Sequence, residues 1–200
     1  MLAVDFDEPG GPEVLRLVKT SVPKINEDEV LIKVRSAGVN RPDIIQRQGN
    51  YPAPHGHSKI LGLEVSGIIE KVGNKVKKFL VGEKVGALVN GGGYAEFCKA
   101  NESSVFHIPK NISYDEAACI PECFFTAWSN IIMRGNLKKK QKILIHGGTS
   151  GIGIASIQIA KLFDSVAPEV HTISSGFALI RIATSFLDSS IIFFALIPYS

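Results

Sequence analysis

The chain has 200 residues, of which 45% are hydrophobic and 20% are charged, and its formal net charge is +3. This composition excludes an intrinsically disordered chain and provides apolar material for one large core or two small ones. The densest basic run, Lys138 to Lys142, contains no aromatic residue, so we interpret it as a solvated surface and expect no nucleic-acid partner.

The cysteines and the two ends of the chain indicate a cellular location. The three cysteines are an odd number and form no CxxC pair, so we expect reduced thiols and a cytoplasmic protein. The first residues, MLAVDFDEPGGPEV, carry acidic side chains and prolines, which fit neither a secretory signal nor an Arg-rich transit peptide. The apolar stretch IIFFALIP is far shorter than the roughly 20 residues of a membrane helix, so we expect no membrane partner.

The first half of the chain, from Leu2 to about Ile108, has the pattern of a series of short strands. Runs such as EVLIKVRSAGV, EVSGIIEKVG and EKVGALV are separated by turns rich in glycine and proline. From Val30 to Arg35 every second residue is a β-branched apolar one, which is the period of a half-buried strand. Many short strands at this spacing predict a partly open β-barrel or a sandwich.

The pattern changes from strands to helices beyond residue 108. Ser113 is followed three residues later by Glu116, which is the capping-box spacing of a helix start, and Pro121 fits the first turn of the next helix. The segment KILIHGGTSGIGIASIQIAKLF then predicts a buried strand, a glycine loop and a helix. We therefore predict two domains, at residues 1–112 and 113–200.

The glycine loop has two phosphate-binding interpretations. The spacing from Gly148 to Gly153 is that of a Walker A loop, but Ile154 and Ala155 replace the Lys and the Ser or Thr that such a loop needs. A dinucleotide-binding loop needs a strand before it and a helix after it, and both are predicted here. In that interpretation Gly148, Gly151 and Gly153 provide the tight turn, the close approach of a pyrophosphate and the helix-to-strand packing. An ordinary strand-to-helix turn is the alternative.

Six segments of the first 163 residues carry a family resemblance: FDEPGGPEVL, NRPDIIQRQGNYP, LGLEVSGIIEKVG, GGGYAEF, IPECFFTAW and ILIHGGTSGIGIASIQIAK. In this order they resemble the quinone oxidoreductase branch of the medium-chain dehydrogenase/reductase superfamily. The resemblance implies an α/β plus β fold, in which a GroES-like β-barrel N-terminal domain at residues 1–112 is followed by a partial, truncated Rossmann-type domain at residues 113–200. It also implies NADPH as the hydride donor and a quinone as the substrate.

The zinc alcohol dehydrogenases of the same superfamily provide a check on metal use. Those enzymes bind a catalytic zinc with a Cys and with the His of a GHE motif, and a structural zinc with a four-Cys lobe. By resemblance, the Cys position is Asn40 and the His position is Leu63 here, and the chain has no Cys cluster. Because a catalytic zinc needs about three side-chain ligands, we expect no metal and a zinc-independent hydride transfer. His55 and His57 are interpreted as solvated loop residues.

Two residues of the first half are catalytic candidates. Tyr51 lies in the loop GNYPAP, which resembles the substrate loop of the family, and its phenol would stabilise the negative charge that develops on a quinone oxygen. The alternative is a loop tyrosine that shields apolar surface. By resemblance Asn40 lies near the nicotinamide, and its alternative role is a strand-end cap that bonds its own backbone.

The resemblance assigns the other candidates to the cofactor. Thr126 would approach the nicotinamide ribose or a phosphate, and the alternative is a hydroxyl bonded to a carbonyl one turn earlier. The pyrophosphate would meet the loop at Ser150 and at the first amides of the helix, where the helix dipole favours an anion. The cofactor-binding candidates are Thr126, Gly148, Ser150, Gly151, Ile152 and Gly153.

The resemblance ends at Asp164, and the remaining residues differ from the family pattern. The segment EVHTIS is a candidate second strand with Ser174 and Ser175 at its carboxyl end, whereas Glu169 lies at the wrong end to read an adenosine ribose. No nearby lysine resembles the family's contact to a 2′-phosphate, so the preference for NADPH rests on the resemblance. The residues after Phe163 are too few to complete a doubly wound sheet, and their hydrophobicity is more typical of sequence that was not selected for this fold.

Two functional hypotheses follow from these patterns. The first is a zinc-independent, NADPH-dependent quinone oxidoreductase. The second is a catalytically silent truncated product that acts as an interaction module or a dimer partner. A homodimer is expected if the Rossmann domain is complete.

Overall fold

The computed structural model describes residues 1–165 together with the backbone of His171–Ile173, Phe177–Leu179 and Ile191–Phe194. The chain forms two compact units, Met1–Glu122 and Cys123–Ser200. The assignment of residues 1–112 and 113–200 to two domains stays a prediction.

The first unit contains a hairpin, a five-stranded sheet and two short helices. In the hairpin, β1 (Leu2–Asp5) pairs antiparallel with β2 (Arg16–Lys19). The remaining elements in chain order are β3 (Glu29–Ala37), α1 (Arg41–Arg47), β4 (Glu64–Val72), β5 (Lys84–Leu88), β6 (Phe97–Asn101), β7 (Val105–His107) and α2 (Tyr114–Ala118). The strands of the sheet follow the order β6-β3-β4-β5-β7, and all neighbours are antiparallel.

Strand β3 lies inside this sheet and shows the predicted alternation. Val30 and Ile32 are fully buried, whereas Lys33 and Arg35 are exposed. Leu31, on the same face as Lys33, is buried as well, and the pairing register with β4 shifts between Leu31 and Ile32. The sheet curls around an apolar core, which confirms the predicted GroES-like β-barrel of the N-terminal domain. The largest side chains of this core are Val30, Ile32, Val65, Ile69, Phe79 and Val85.

Helix α2 begins where the sequence predicts a helix start. The Ser113 hydroxyl accepts a hydrogen bond from the Glu116 amide at 3.2 Å, and the Glu116 carboxylate accepts from the Ser113 amide at 2.8 Å. The predicted capping box is therefore confirmed. The Ser66 hydroxyl of β4 donates to the Tyr114 carbonyl at 2.6 Å, so the helix is fixed on the sheet.

A helical segment that begins with the last two residues of the first unit continues into the second unit, where a strand and a longer helix follow. The helical segment has wide π-type turns at Pro121–Phe125 and Ser129–Arg134 on either side of α3 (Thr126–Trp128). It is followed by β8 (Lys142–Ile145) and α4 (Gly151–Leu162), which confirms the predicted strand, loop and helix of a Rossmann-type domain. These elements share an apolar core that includes Ala127, Ile131, Ile143, Ile145, Ala155 and Ile159.

The last strands pair differently from the sequence expectation. β9 (His171–Ile173) lies within the candidate second strand EVHTIS, but it pairs antiparallel with β10 (Phe177–Leu179). The parallel neighbour of β8 is instead β11 (Ile191–Phe194), a run of β-branched and aromatic residues that favours a strand. The expectations for Glu169, Ser174 and Ser175 lie outside the described residues. No helix within the described ranges has the length and apolar character that crossing a bilayer requires.

Candidate functional site

The glycine loop joins β8 to α4 through a left-handed residue. Gly147 has φ +68°, a conformation that glycine adopts at little cost. We expected Gly148 to provide the tight turn; the structure corrects this assignment, because the positive φ falls on Gly147. Two adjacent glycines in the sequence are equivalent in this respect, so the pattern HGG indicated the turn without saying which glycine would make it.

The other two glycines of the loop differ in the room they leave for a side chain. A Cβ atom on Gly153 would collide with the Gly147 carbonyl oxygen and would lie 2.7 Å from the Gly148 Cα. A Cβ atom on Gly151 would lie 2.8 Å from the Sγ of Cys123. Gly153 therefore packs the start of α4 against the loop backbone, which agrees with the packing role expected for the last glycine of a dinucleotide-binding loop.

Ser150 is the N-cap of α4, and its hydroxyl forms its hydrogen bonds within the loop. Its hydroxyl donates to the Gly147 carbonyl at 2.8 Å and accepts from the Gly153 amide at 3.1 Å. A hydroxyl has a single hydrogen to donate, so Ser150 donates to a phosphate only if the bond to Gly147 is broken. The Gly153 amide, expected to contact the pyrophosphate, is likewise already bonded. In the described part of the chain, the amides of Gly151 and Ile152 have no acceptor, and they are the donors left for an anion.

Thr126 lies in the same unit as the glycine loop. It is the first residue of α3, which packs against α4. Its carbonyl accepts a hydrogen bond from the Asn130 side-chain amide at 2.8 Å, one turn later. The role of Thr126 toward a cofactor stays a prediction.

Asn40 joins the end of β3 to the start of α1. It is the N-cap of α1: the Asp43 carboxylate accepts from the Asn40 amide N–H at 2.8 Å, and the Asn40 backbone carbonyl accepts from the Asp43 amide at 3.1 Å. The Asn40 side chain makes a second, longer-range contact, because its Nδ2 donates to the Oε1 of Glu64 at 2.8 Å. Asn40 is therefore the first residue of a helix cap and also part of a polar network, while its role toward a nicotinamide stays a prediction.

That network contains four residues that sequence reasoning did not select as site residues. Asp43 accepts hydrogen bonds from the Gly62 amide at 3.0 Å and from the Tyr94 phenol at 3.0 Å. Glu64 is 3% exposed, and its second oxygen accepts from the Glu122 amide at 2.9 Å. A buried acid is rare unless it is paired, so the charge inside the apolar run LGLEVSGII was the available signal for this network.

Burial controls the protonation of these groups. It raises the pKa of Glu64, against the hydrogen bonds from Glu122 and Asn40, which lower it. Burial also raises the pKa of Glu122 and of Tyr94, and the nearby carboxylates raise both values further. The site in the first unit is thus a set of acids held away from water beside one amide side chain.

Tyr51 lies in a different part of the first unit. Its side chain is 43% exposed and lines a cavity of about 540 Å³ together with Gln46, Lys59 and the residues of the loop 52–57. His55 and His57 are exposed in that loop. Asn40 is not part of this lining, so the structure does not bring the two catalytic candidates into one cavity within the described residues.

The side chains of residues 1–165 form no candidate metal site. No group of three or more His, Cys, Asp or Glu side chains is arranged there to hold a metal ion. None of the three cysteines, which all lie within these residues, forms a disulfide. Cys98 is buried in the barrel core, and burial raises its pKa to about 12.

Comparisons of the sequence with known proteins identify the N-terminal domain. Residues 26–113 match the family described as alcohol dehydrogenase GroES-like domain. The quinone oxidoreductase of Lama guanicoe is 37% identical over 163 residues, which cover 80% of this chain and 49% of the relative. The human quinone oxidoreductase is 35% identical over 165 residues, which cover 82% and 50%. The chain spans about half the length of the curated relatives it matches.

Solved structures agree with this result. The human synaptic vesicle membrane protein VAT-1 homolog-like protein has a TM-score of 0.71 at 33% identity, over 81% of this chain and 52% of that chain. The quinone oxidoreductase of Pseudomonas syringae has a TM-score of 0.70 at 28% identity, over 82% and 50%. A mycobacterial protein solved in complex with NADPH has a TM-score of 0.71 at 32% identity, over 82% and 51%. The chain therefore contains a GroES-like domain of the alcohol dehydrogenase type, and its first 163 residues resemble the quinone oxidoreductase branch of the medium-chain dehydrogenase/reductase superfamily, as the sequence predicted.

Proposed function

We propose that this chain is a zinc-independent oxidoreductase that transfers a hydride from NADPH to a quinone. The observation that carries the proposal is the loop between β8 and α4. Its backbone turns at Gly147, leaves no space for a side chain at Gly153, and presents the amides of Gly151 and Ile152 at the start of a 12-residue helix. Such a loop fits the pyrophosphate of a dinucleotide.

The residues of the second unit fit the cofactor on this basis. Gly148, Gly151 and Gly153 keep the loop free of side chains, and the helix dipole of α4 favours a negative charge at its first turn. Ser150 holds the loop in shape through its bonds to Gly147 and Gly153, and Thr126 is our candidate for a ribose or phosphate contact. NADPH, when bound, supplies the hydride. The preference for NADPH over NADH is supported by the NADPH complex of the mycobacterial relative.

Tyr51 and Asn40 would act at the reacting groups. The exposed phenol of Tyr51, in a cavity of about 540 Å³, would donate a hydrogen bond to the quinone oxygen on which negative charge develops. Asn40 would bind the nicotinamide through its side-chain carboxamide and so orient it. Both assignments rest on the family resemblance of their loops.

Zinc independence is supported by the two positions that bind zinc in the alcohol dehydrogenases of the superfamily. Asn40 offers an amide nitrogen that already donates to Glu64, and Leu63 offers a hydrocarbon side chain. Neither is a zinc ligand of the usual kind. A quinone accepts a hydride without a Lewis acid, which makes it a better match than an alcohol. Three cysteines that form no disulfide within residues 1–165 support a reducing compartment, so we propose a cytoplasmic protein.

A second candidate function is favoured by an apolar groove on the second unit. The groove lies between the helical segment 121–134 and α4, and its members are Phe124, Phe125, Trp128, Met133, Ile159 and Leu162. Met133 is 73% exposed and Leu162 is 80% exposed. Exposed apolar patches of this kind commonly mark contact with another polypeptide, which supports the alternative of a catalytically silent interaction module or dimer partner.

Cofactor binding separates the two functions. We expect NADPH to quench the fluorescence of Trp128, the only tryptophan, and the full chain to oxidise NADPH when an ortho- or para-quinone is added. Gly151→Val should weaken the NADPH response at least tenfold, because the new side chain meets Cys123 and covers the amides. Lys161→Val, at an exposed site of the same helix, is the matched control. A chain that shows neither quenching nor turnover at millimolar NADPH is the silent module.

A further inference from the structure

The strongest unexplained contact in the first unit is that between Glu64 and Asn40. Each oxygen of the Glu64 carboxylate has its own donor: Oε1 accepts from Asn40 Nδ2 at 2.8 Å, and Oε2 accepts from the Glu122 amide at 2.9 Å. Burying a carboxylate with only two hydrogen bonds, and with Asp43 close enough to repel it, is costly. A hydrophobic residue at position 64 would be buried at a lower free-energy cost. Stability therefore does not explain the acid, and we look for a functional role.

The turn before Asn40 is built around this carboxylate. A Cβ atom on Gly38 would lie 2.6 Å from the Cδ of Glu64, so only glycine leaves space for the acid at that point. The Gly38 amide also donates to the Glu64 carbonyl at 3.2 Å. The segment Gly38 to Asn40 is thus shaped to place the Asn40 side chain on Glu64, with the rest of Asn40 only partly buried.

The chemistry of the two groups fixes the orientation of the amide. An ionised carboxylate can only accept hydrogen bonds, whereas an asparagine side chain has two N–H donors on one atom and an acceptor on the other. Glu64 therefore excludes the flipped amide, in which the Asn40 oxygen would face the carboxylate. One N–H of Asn40 is used by Glu64, and the second N–H remains on the same, now fixed, nitrogen.

We propose that Glu64 is a positioning residue, which orients the Asn40 carboxamide so that its second N–H donates to a carbonyl oxygen of a bound ligand. The inference rests on the proposed function, in which both the nicotinamide and the quinone carry such an oxygen. Glu64 itself does not touch the ligand, and its effect passes through Asn40. Glutamine in its place would accept either orientation of the amide, and the donor would be lost for part of the time.

Steady-state kinetics of the full chain test the route of this effect. We expect Glu64→Gln to lower kcat/KM by about tenfold, the effect of one lost hydrogen bond, and Glu70→Gln, an exposed acid on the same strand, to change it less than twofold. A higher KM for NADPH with kcat unchanged assigns the oxygen to the nicotinamide, and a lower kcat assigns it to the quinone. In an Asn40→Ala background, Glu64→Gln should cause no further loss. Additive losses, or a Glu64→Gln enzyme as fast as Glu70→Gln, would overturn the proposal.

A second readout does not depend on turnover. The side-chain NH₂ resonances of Asn40, identified by their loss in Asn40→Ala, should include one N–H shifted by the carboxylate, and this shift should disappear in Glu64→Gln but persist in Glu70→Gln. If the wild-type chain turns over no quinone but shows this pattern, the proposed function fails and the orientation of Asn40 by Glu64 stands. If the resonances are the same in all forms that retain Asn40, Glu64 does not position it.

Discussion

Gly153→Ala is the substitution for which the structure makes the least intuitive prediction. In an ordinary helix the change from glycine to alanine stabilises by about 1 kcal/mol. Here the added methyl group would collide with the Gly147 carbonyl and approach the Gly148 Cα to 2.7 Å. Forcing an extra carbon into a packed site costs about 1 to 3 kcal/mol. Both contacts are backbone atoms that cannot rotate away, so the upper part of this range applies.

The two effects give a net loss for Gly153→Ala of about 1 to 2 kcal/mol in the free energy of unfolding of the second unit. Gly151→Ala provides the comparison within the same loop. Its methyl group would meet the Cys123 side chain at 2.8 Å, and that side chain can turn away, so we expect a change near zero. The contrast between the two alanines separates the collision with the loop from any general effect of alanine in α4.

Urea unfolding followed by the fluorescence of Trp128 measures this difference. Trp128 belongs to the second unit and lies against Phe163, with 6.3 Å between the ring centroids, so it reports on the unit that contains the loop. With a slope of about 2 kcal/mol per molar urea, the middle of the typical range, we expect the midpoint of Gly153→Ala to fall by roughly 0.5 to 1 M. A midpoint equal to or above that of the wild type would refute the reasoning, and with it the claim that α4 is packed tightly on the loop backbone.

Three further predictions concern the cap, the buried acid and the thiols. Ser150→Ala should lower the stability of the second unit by about 1 kcal/mol in the same urea assay, because it removes the N-cap of α4; an unchanged midpoint would show that the cap contributes nothing. Because the pKa of Glu64 is raised above its ordinary 4.5, the stability of the first unit should fall as pH rises from about 4.5 through the raised value. Urea titrations over that window should show a smaller fall in Glu64→Gln, and identical pH profiles would contradict the assignment. At pH 8.5 iodoacetamide should modify the exposed Cys119 and spare Cys98, whose pKa is raised to about 12 by burial; mass spectrometry of the native protein decides, and early loss of Cys98 would refute its burial.

Local patterns predicted the elements of this fold because their causes are local. The capping box of Ser113 and Glu116 acts within one turn of helix, and the structure contains both of its hydrogen bonds. The alternation in β3 reflects a sheet with one buried face, but Leu31 on the opposite face is buried as well. The burial of that position depends on other parts of the chain, so the sequence of β3 alone does not reveal it.

The same distinction explains the outcomes at the glycine loop. The sequence indicated a turn rich in glycine before a helix, and that is what the structure contains. It did not indicate that the left-handed residue is Gly147, since both glycines of the pair tolerate a positive φ equally. Nor did it indicate that Ser150 would use its hydroxyl inside the loop, because serine is equally suited to cap a helix and to bind a phosphate.

The contact of Asn40 with Glu64 shows where local reasoning stops. The two residues are 24 positions apart, and they meet because β3 and β4 pair antiparallel and bring the end of one strand to the start of the other. A buried carboxylate needs hydrogen-bond donors, and the Asn40 side chain provides one of the two that Glu64 has. The asparagine at position 40 therefore suits the buried charge at position 64, and neither strand on its own reveals that the two residues are partners.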